Sequence, residues 1–212
     1  MGKSTSLRNL NSEETIIINS DQKALPFKQF SLKYNDQNKN YFKTSDVNEV
    51  INILKIAHKD PKIKTVVVDT ISHIMTDHIM DPVFRGKNGF SKWGEFSGLI
   101  YDLINIINEK LRDDIIVYLI AHPETNSDDF GIVSERIGVQ GKQLEKMSPE
   151  SFSSVVLYAE IQKVHGQPNR HVFRTKSSGN DTCKTPIDMF SEDIIDNDLV
   201  IVDKAIREYF GI

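Results

Sequence analysis

Three short runs of this chain are apolar almost without interruption: Thr15 to Asn19, with three isoleucines, Thr65 to Asp69, with three valines, and Ile115 to Ala121. A strand with one wet face alternates apolar and polar residues. A run that does not alternate expects burial on both faces, the condition of a parallel sheet covered by helices. Between these runs the spacing turns helical. Val47, Val50, Ile51, Leu54 and Ala57 share a helix face, with Asp46 and Glu49 as a capping pair at its start. Phe96, Leu99, Ile100, Leu103, Ile104, Ile107 and Leu111 form the longest amphipathic stripe. Strands alternating with helices predict an α/β layered fold. Val155 to Ile161 and His171 to Thr175 read as later strands that add an antiparallel edge, and Val202 to Phe210 as a closing helix. No linker of Gly, Ser or Pro and no internal repeat divides the chain, so residues 1–212 are expected to form one domain.

Composition narrows the partners. With 39% hydrophobic residues the chain has material for a core, which excludes wholesale disorder. Lys and Arg number 26 against 30 Asp and Glu, a net charge of −4, so a globally basic nucleic-acid coat is excluded while local basic segments are not. The single Cys183 can form no internal disulfide, which fits a reducing cytoplasm. No run approaches the ~18 apolar residues of a membrane helix, and no leader pattern opens the chain. A cytoplasmic protein with no membrane partner is expected. His73 and His78, with Asp77 and Asp81, have poor spacing for zinc, and no nucleophile motif supports a hydrolase triad.

Two motifs carry chemistry. Gly2-Lys3-Ser4-Thr5 matches the second half of the phosphate loop G-x-x-x-x-G-K-[ST]. There the glycine lets backbone N–H groups approach phosphate, Lys3 reaches the β- and γ-phosphates, Ser4 ligates Mg²⁺, and Thr5 and Ser6 open a helix whose N-terminus favours anions. The preceding strand and first glycine do not stand in the sequence, which begins at Met1. The tripeptide reads equally as a polar terminal segment, or as part of a loop whose first half lies upstream. The second motif is Val66-Val67-Val68-Asp69, a Walker B pattern that places a carboxylate at the ligand-binding end of a parallel strand. Alone it is also an ordinary buried strand ending in Asp. Asp21, after the first strand, is placed either to orient an attacking water or simply to make a turn. His122, after the third, is either a γ-phosphate sensor or a loop histidine before proline.

Taken together these residues resemble phage-encoded, RecA-like AAA-family P-loop ATPases of recombination and single-strand annealing. The likeness runs through Gly2 to Leu10, Ile16-Ile17-Ile18-Asn19, Lys23-Ala24-Leu25-Pro26-Phe27, Val66 to Asp69, Trp93-Gly94-Glu95, Ala121-His122-Pro123-Glu124, Gly141-Lys142, Thr185-Pro186 and Met189-Phe190. It implies a three-layer RecA-like core: a mostly parallel sheet with helices on both faces, a few antiparallel edge strands, and its first strand missing. It implies ATP and Mg²⁺ at Gly2, Lys3, Ser4, Thr5 and Asp69, with Ser4 and Asp69 on the metal. Asp21 falls at the catalytic acidic position and His122 at the polar switch position. Phe173-Arg174-Thr175-Lys176 resembles a basic strand inserted into a neighbour's ATP site, with Arg174 and Lys176 as finger equivalents and Lys184 as a further candidate.

The resemblance also implies two loops for single-stranded DNA. The first is 77–93, where Arg85, Lys87 and Lys92 alternate with Phe90 and Trp93, a mixture suited to phosphate contact and base stacking, although both aromatics equally suit a core edge. The second is 125–143, with Arg136 and Lys142. The implied partners are single-stranded DNA, further copies in a ring or filament, and a single-strand binding protein. The expected function is an ATPase acting on single-stranded DNA in phage recombination or replication. The alternatives are a non-catalytic nucleotide- or DNA-binding module, another P-loop enzyme such as a helicase or small-molecule kinase, and an assembly scaffold.

Overall fold

The structure is a computed structural model that describes residues 2–87, 89, 91–127, 131, 133–163, 165–166 and 168–212. Its centre is a parallel sheet of β1 (Thr15–Asn19), β2 (Tyr41–Phe42), β3 (Thr65–Asp69) and β4 (Ile116–Ile120), in the order β2-β1-β3-β4. Thr15 pairs with Thr65 and Thr65 with Ile116, so the three main strands start level and end level, at Asn19, Asp69 and Ile120. Every residue of β1 and β3 is buried, as their unbroken apolar character requires.

The sheet's two faces feed two cores. Ile16, Ile18, Val66 and Val68 point into one, against α2 (Val47–Lys59), α3 (Ile71–Met80) and α5 (Ser91–Glu109). Ile17, Val67, Ile116 and Ile120 point into the other. There they meet the 3₁₀ turn Ser4–Asn9 and α7 (Leu199–Phe210). Each fully buried Val or Ile contributes about 1.5–3 kcal/mol on this count, so the alternation divides the stabilisation between both layers. α2 starts as expected, with the Asp46 carboxylate accepting from the Asn48 N–H at 2.7 Å. Glu49 instead turns back to accept the Thr44 hydroxyl at 2.5 Å.

The remaining elements are α1 (Phe30–Lys33), α4 (Pro82–Gly86), β5 (Pro123–Ser127), β6 (Val133–Ile137), α6 (Lys142–Met147), β7 (Tyr158–Gln162), β8 (Arg170–Arg174) and β9 (Ile194–Asp196). The antiparallel strands do not edge the parallel sheet. They form two small sheets of their own, the hairpin β5-β6 and the three-stranded β7-β8-β9. Phe173 of β8 packs into the second core beside α7. Among the described residues, no helix is long and apolar enough to cross a membrane.

Two expected loops are structured. Of the segment 77–93, residues 77–80, 82–86 and 91–93 are helical: α3 runs to Met80 and α4 starts at once on an Asp81 cap, whose side chain accepts from Val83 N–H at 2.7 Å, with Pro82 at the first helical position. The described residues of the segment 125–143 include the end of β5, the antiparallel strand β6 and the start of α6. The helix expected after Thr5 is a six-residue 3₁₀ turn.

Candidate functional site

The level ends of β1, β3 and β4 bring Asp21, Asp69 and His122 together, with Lys3 and Ser4 of the N-terminal segment beside them. Asp69 closes β3 and is 6% exposed. It lies within interaction range of the Ser4 hydroxyl and within electrostatic reach of Lys3, Asp21 and His122. Burial first, then the Asp21 charge, pushes its carboxyl above the ordinary value, against the opposing pull of Ser4, Lys3 and His122. Lys3 is half-buried, and desolvation lowers its pKa while Asp69 pulls it back up. No carboxylate stands within salt-bridge distance of the Lys3 ammonium among the described residues.

The turn after β1 is shaped by Asn19, which the sequence reading passed over. Its amide nitrogen donates to Lys23 O and to Tyr41 Oη, both at 2.6 Å, and its oxygen accepts from Gln22 N–H at 3.1 Å. This folds the chain so that Asp21 Oδ1 accepts from Lys23 N–H at 3.1 Å, with the Lys23 ammonium 3.3 Å from Oδ2. Ser20 ties the same turn to β3. Its N–H donates to Asp69 O at 2.9 Å, and its hydroxyl bonds both Thr70 O and Thr70 N–H. A buried polar residue at the end of an otherwise apolar strand was the available signal for Asn19, as it was for Asp69.

His122 is held by its main chain. Its N–H donates to Ser72 Oγ at 2.9 Å and its carbonyl accepts from Gly138 N–H at 2.9 Å. The ring stands on the rim, where desolvation and then the Lys3 charge lower its pKa. Gly2 and Thr5 flank Lys3 and Ser4 on the other side. Gly2 adopts φ +122°, where a side chain is strained, and an added Cβ would stand 3.0 Å from His171 Nδ1.

The arrangement suits a phosphate ester with a hard cation. A half-buried ammonium without a direct counter-ion calls for an anion. A hydroxyl beside a carboxylate is an oxygen donor pair of the kind Mg²⁺ takes, with phosphate and water completing its shell. Ser4 and Asp69 are the residues that would hold it.

The remaining candidates are placed differently. Arg174 is engaged within its own chain. Its guanidinium donates to Glu160 Oε1 at 2.7 Å, Asp181 Oδ2 at 2.9 Å and Lys176 O at 2.8 Å, and lies over the Tyr158 ring. β8 is the middle strand of its sheet, so both of its edges are already paired. Lys176 is exposed and pairs with Asp193 at 2.6 Å. Lys184 donates to Ser151 O at 3.3 Å.

Trp93 takes the core-edge role. Its ring meets Phe84 and Phe96 edge-on and abuts Gly141, where an added Cβ would stand 2.9 Å from the indole. Lys92 lies over the Phe84 ring, Lys87 pairs with Glu95 and Arg136 with Glu145. Arg85 lies in the last turn of α4 and Lys142 opens α6. The Trp93–Gly141 contact brings the two expected DNA segments side by side. Phe90 lies outside the described residues, as do 128–130 and 132 of the second segment.

A family model described as an AAA domain matches residues 1–186. Comparison with curated proteins finds no match, and comparison with solved structures finds none.

Proposed function

The chain belongs to the AAA-domain family of P-loop ATPases, and from that membership we propose that it is a Mg²⁺-dependent, RecA-like ATPase acting on single-stranded DNA, in phage recombination or replication. The observation that carries the nucleotide part is the convergence of Lys3, Ser4 and Asp69, with Asp21 and His122 beside them, at the carboxyl ends of parallel strands. Lys3 takes the β- and γ-phosphate oxygens. Ser4 and Asp69 hold the cation, which supplies positive charge to the phosphates. Asp21, released from Lys23, orients the attacking water, and His122 hydrogen-bonds the γ-phosphate end. Catalysis of this kind is positioning and charge stabilisation.

The DNA part rests on the adjacency of the α4–α5 and β6–α6 segments, which together carry Arg85, Lys87, Lys92, Arg136 and Lys142. With a net charge of −4, a single subunit is a poor DNA ligand, and a ring or filament that lines up these residues supplies the affinity by multivalency. Trans-acting charge in such an assembly falls to exposed cations such as Lys176 rather than to Arg174.

The test is ATP hydrolysis with and without single-stranded DNA. Lys3→Ala is expected to lower kcat/KM by about 10²–10³-fold. Asp21→Asn is expected to keep nucleotide affinity and lose turnover. Unchanged nucleotide affinity in Lys3→Ala would overturn the ATPase reading. Turnover indifferent to DNA would remove the DNA part alone.

A further inference from the structure

A cavity of about 310 Å³ opens beside the Gly2–Thr5 segment, within the size range of small-molecule sites. Thr5 and Arg8 of the 3₁₀ turn form one wall. His171, Asp196, Asn197 and Asp198, from the start of β8 and the β9–α7 junction, form the other. Thr5 directly follows Ser4, so a ligand with its phosphates on Lys3 and Ser4 has this cavity next to it.

The lining chemistry is selective. Arg8 is already committed, donating to Asn197 O at 2.7 Å and Thr5 O at 3.1 Å, with Asp198 at 3.6 Å. Asp196 is paired with Arg170, and Asp198 caps α7 through Val200 N–H. Two carboxylates beside a spent guanidinium disfavour phosphate here and favour a neutral group bearing donors. Asn197 is 2% exposed, and among the described residues neither its amide nitrogen nor its amide oxygen has a hydrogen-bond partner. A buried amide with both ends unpaired is rare in native proteins and asks for an explanation.

We propose that this cavity is the base subsite of the nucleotide and that Asn197 reads adenine. The inference rests on the ATPase reading above. Adenine presents an amino donor beside a ring-nitrogen acceptor, the complement of an Asn side chain. The corresponding edge of guanine presents two acceptors and leaves one of them facing the amide oxygen. Gly2 is the cover: an added Cβ would stand 3.2 Å from Asn197 Oδ1, so the backbone that meets the phosphates also lies over the amide. Glycine at φ +122° lets that backbone turn aside, and phosphate uptake and base uptake proceed together.

The experiment is calorimetric titration with Mg²⁺ and three probes: the β,γ-imido analogue of ATP, that of GTP, and tripolyphosphate. The wild-type chain is expected to bind the adenine analogue roughly tenfold or more tightly than the guanine one. Asn197→Ala is expected to remove that preference and leave tripolyphosphate affinity unchanged. Asn197→Leu, which replaces both unpaired atoms with apolar ones of similar volume, is expected to fold and to behave the same way. Equal affinity of the wild type for both analogues, with tripolyphosphate still bound, overturns the base subsite and leaves the ATPase reading standing. Wild type and Lys3→Ala both failing to bind any probe overturns both.

Discussion

Asp69→Asn separates a ligand-binding carboxylate from a strand-end cap. In the folded chain Asp69 is 6% exposed, and burial together with Asp21 outweighs Ser4, Lys3 and His122, so its carboxyl is raised above 3.8. Its ionised form is therefore less comfortable in the folded protein than in water. Asparagine keeps an oxygen for the Ser4 hydroxyl and removes the charge. The bare variant is expected to gain about 1 kcal/mol, the usual scale for relieving a destabilised functional group. For a chain of this size that is roughly 2–4 °C in Tm.

Linkage gives the pH signature. Between 3.8 and the raised folded value, the folded state holds a proton that the unfolded state has lost. Stability from this group consequently falls as pH rises through that window, and Asp69→Asn lacks the slope. Nucleotide reverses the order. At a hundred times its Kd, a Mg²⁺-bound non-hydrolysable ATP analogue stabilises the wild type by about 2.7 kcal/mol, roughly 5–10 °C, and the variant by far less. Thermal melts with and without ligand are thus expected to cross: the variant melts higher bare and lower loaded. A variant that loses about 2 kcal/mol bare yet keeps the full ligand shift would refute the reasoning, because Asp69 would then be a structural cap.

Arg174→Ala is expected to cost about 2 kcal/mol, because it removes the charged donor from Asp181, a side chain 2% exposed that keeps, among the described residues, only its hydrogen bonds from Ser178 and Cys183; urea melts check this, and Lys176→Ala is expected to shift stability by less than about 0.5 kcal/mol. Gly141→Ala meets both φ +91° and the Trp93 ring, and is expected to lose about 1–3 kcal/mol. Trp93 is the one tryptophan of the chain, so its fluorescence reports that displacement directly. Asp114 is held at about 2 by hydrogen bonds from Lys64 and Arg112, so its contribution is full above 3.8 and fades as pH falls toward 2. Asp114→Asn is expected to flatten that acid limb, at a cost of about 1 kcal/mol at neutral pH once solvent screening is counted.

The parallel core was legible because burial on both faces leaves nothing polar inside a strand, and β3 was read at the residues where it stands. The β5-β6 hairpin was not. Pro123-Glu124-Thr125-Asn126-Ser127 is mostly exposed and polar, and it is a strand only because its partner supplies the ladder. α4 was legible in principle, since Asp81-Pro82 is a helix start, but a five-residue helix has too few apolar positions to show a period. For Trp93 and Arg174 the sequence carries residue type without surroundings. Gly141 against one, and Glu160 and Asp181 around the other, are contacts made only by the fold. Asn197 lay beyond reach for the same reason, as its significance is the absence of a partner.

The two ends of the parallel sheet treat charge in opposite ways. At the amino ends, Arg112 donates to the carbonyls of His58, Asp60 and Ile63 at 2.9, 2.8 and 2.7 Å. Arg207 binds Asp203 and the carbonyls of Asp114 and Lys64. Lys64 and Arg112 share Asp114. These charged groups are mutually partnered or bonded to carbonyls, and the carboxyl of Asp114 is driven down. At the carboxyl ends Asp69 is driven up, and Lys3 and His122 are driven down. All three are pushed away from their ionised forms. The same chain thus satisfies its charges at one end and leaves them in deficit at the other, only the length of a five-residue strand away. Such a deficit contributes nothing to folding. It is relieved by a ligand that brings both negative charge for Lys3 and positive charge for Asp69, and a phosphate carrying its own divalent cation is the chemistry that brings both at once.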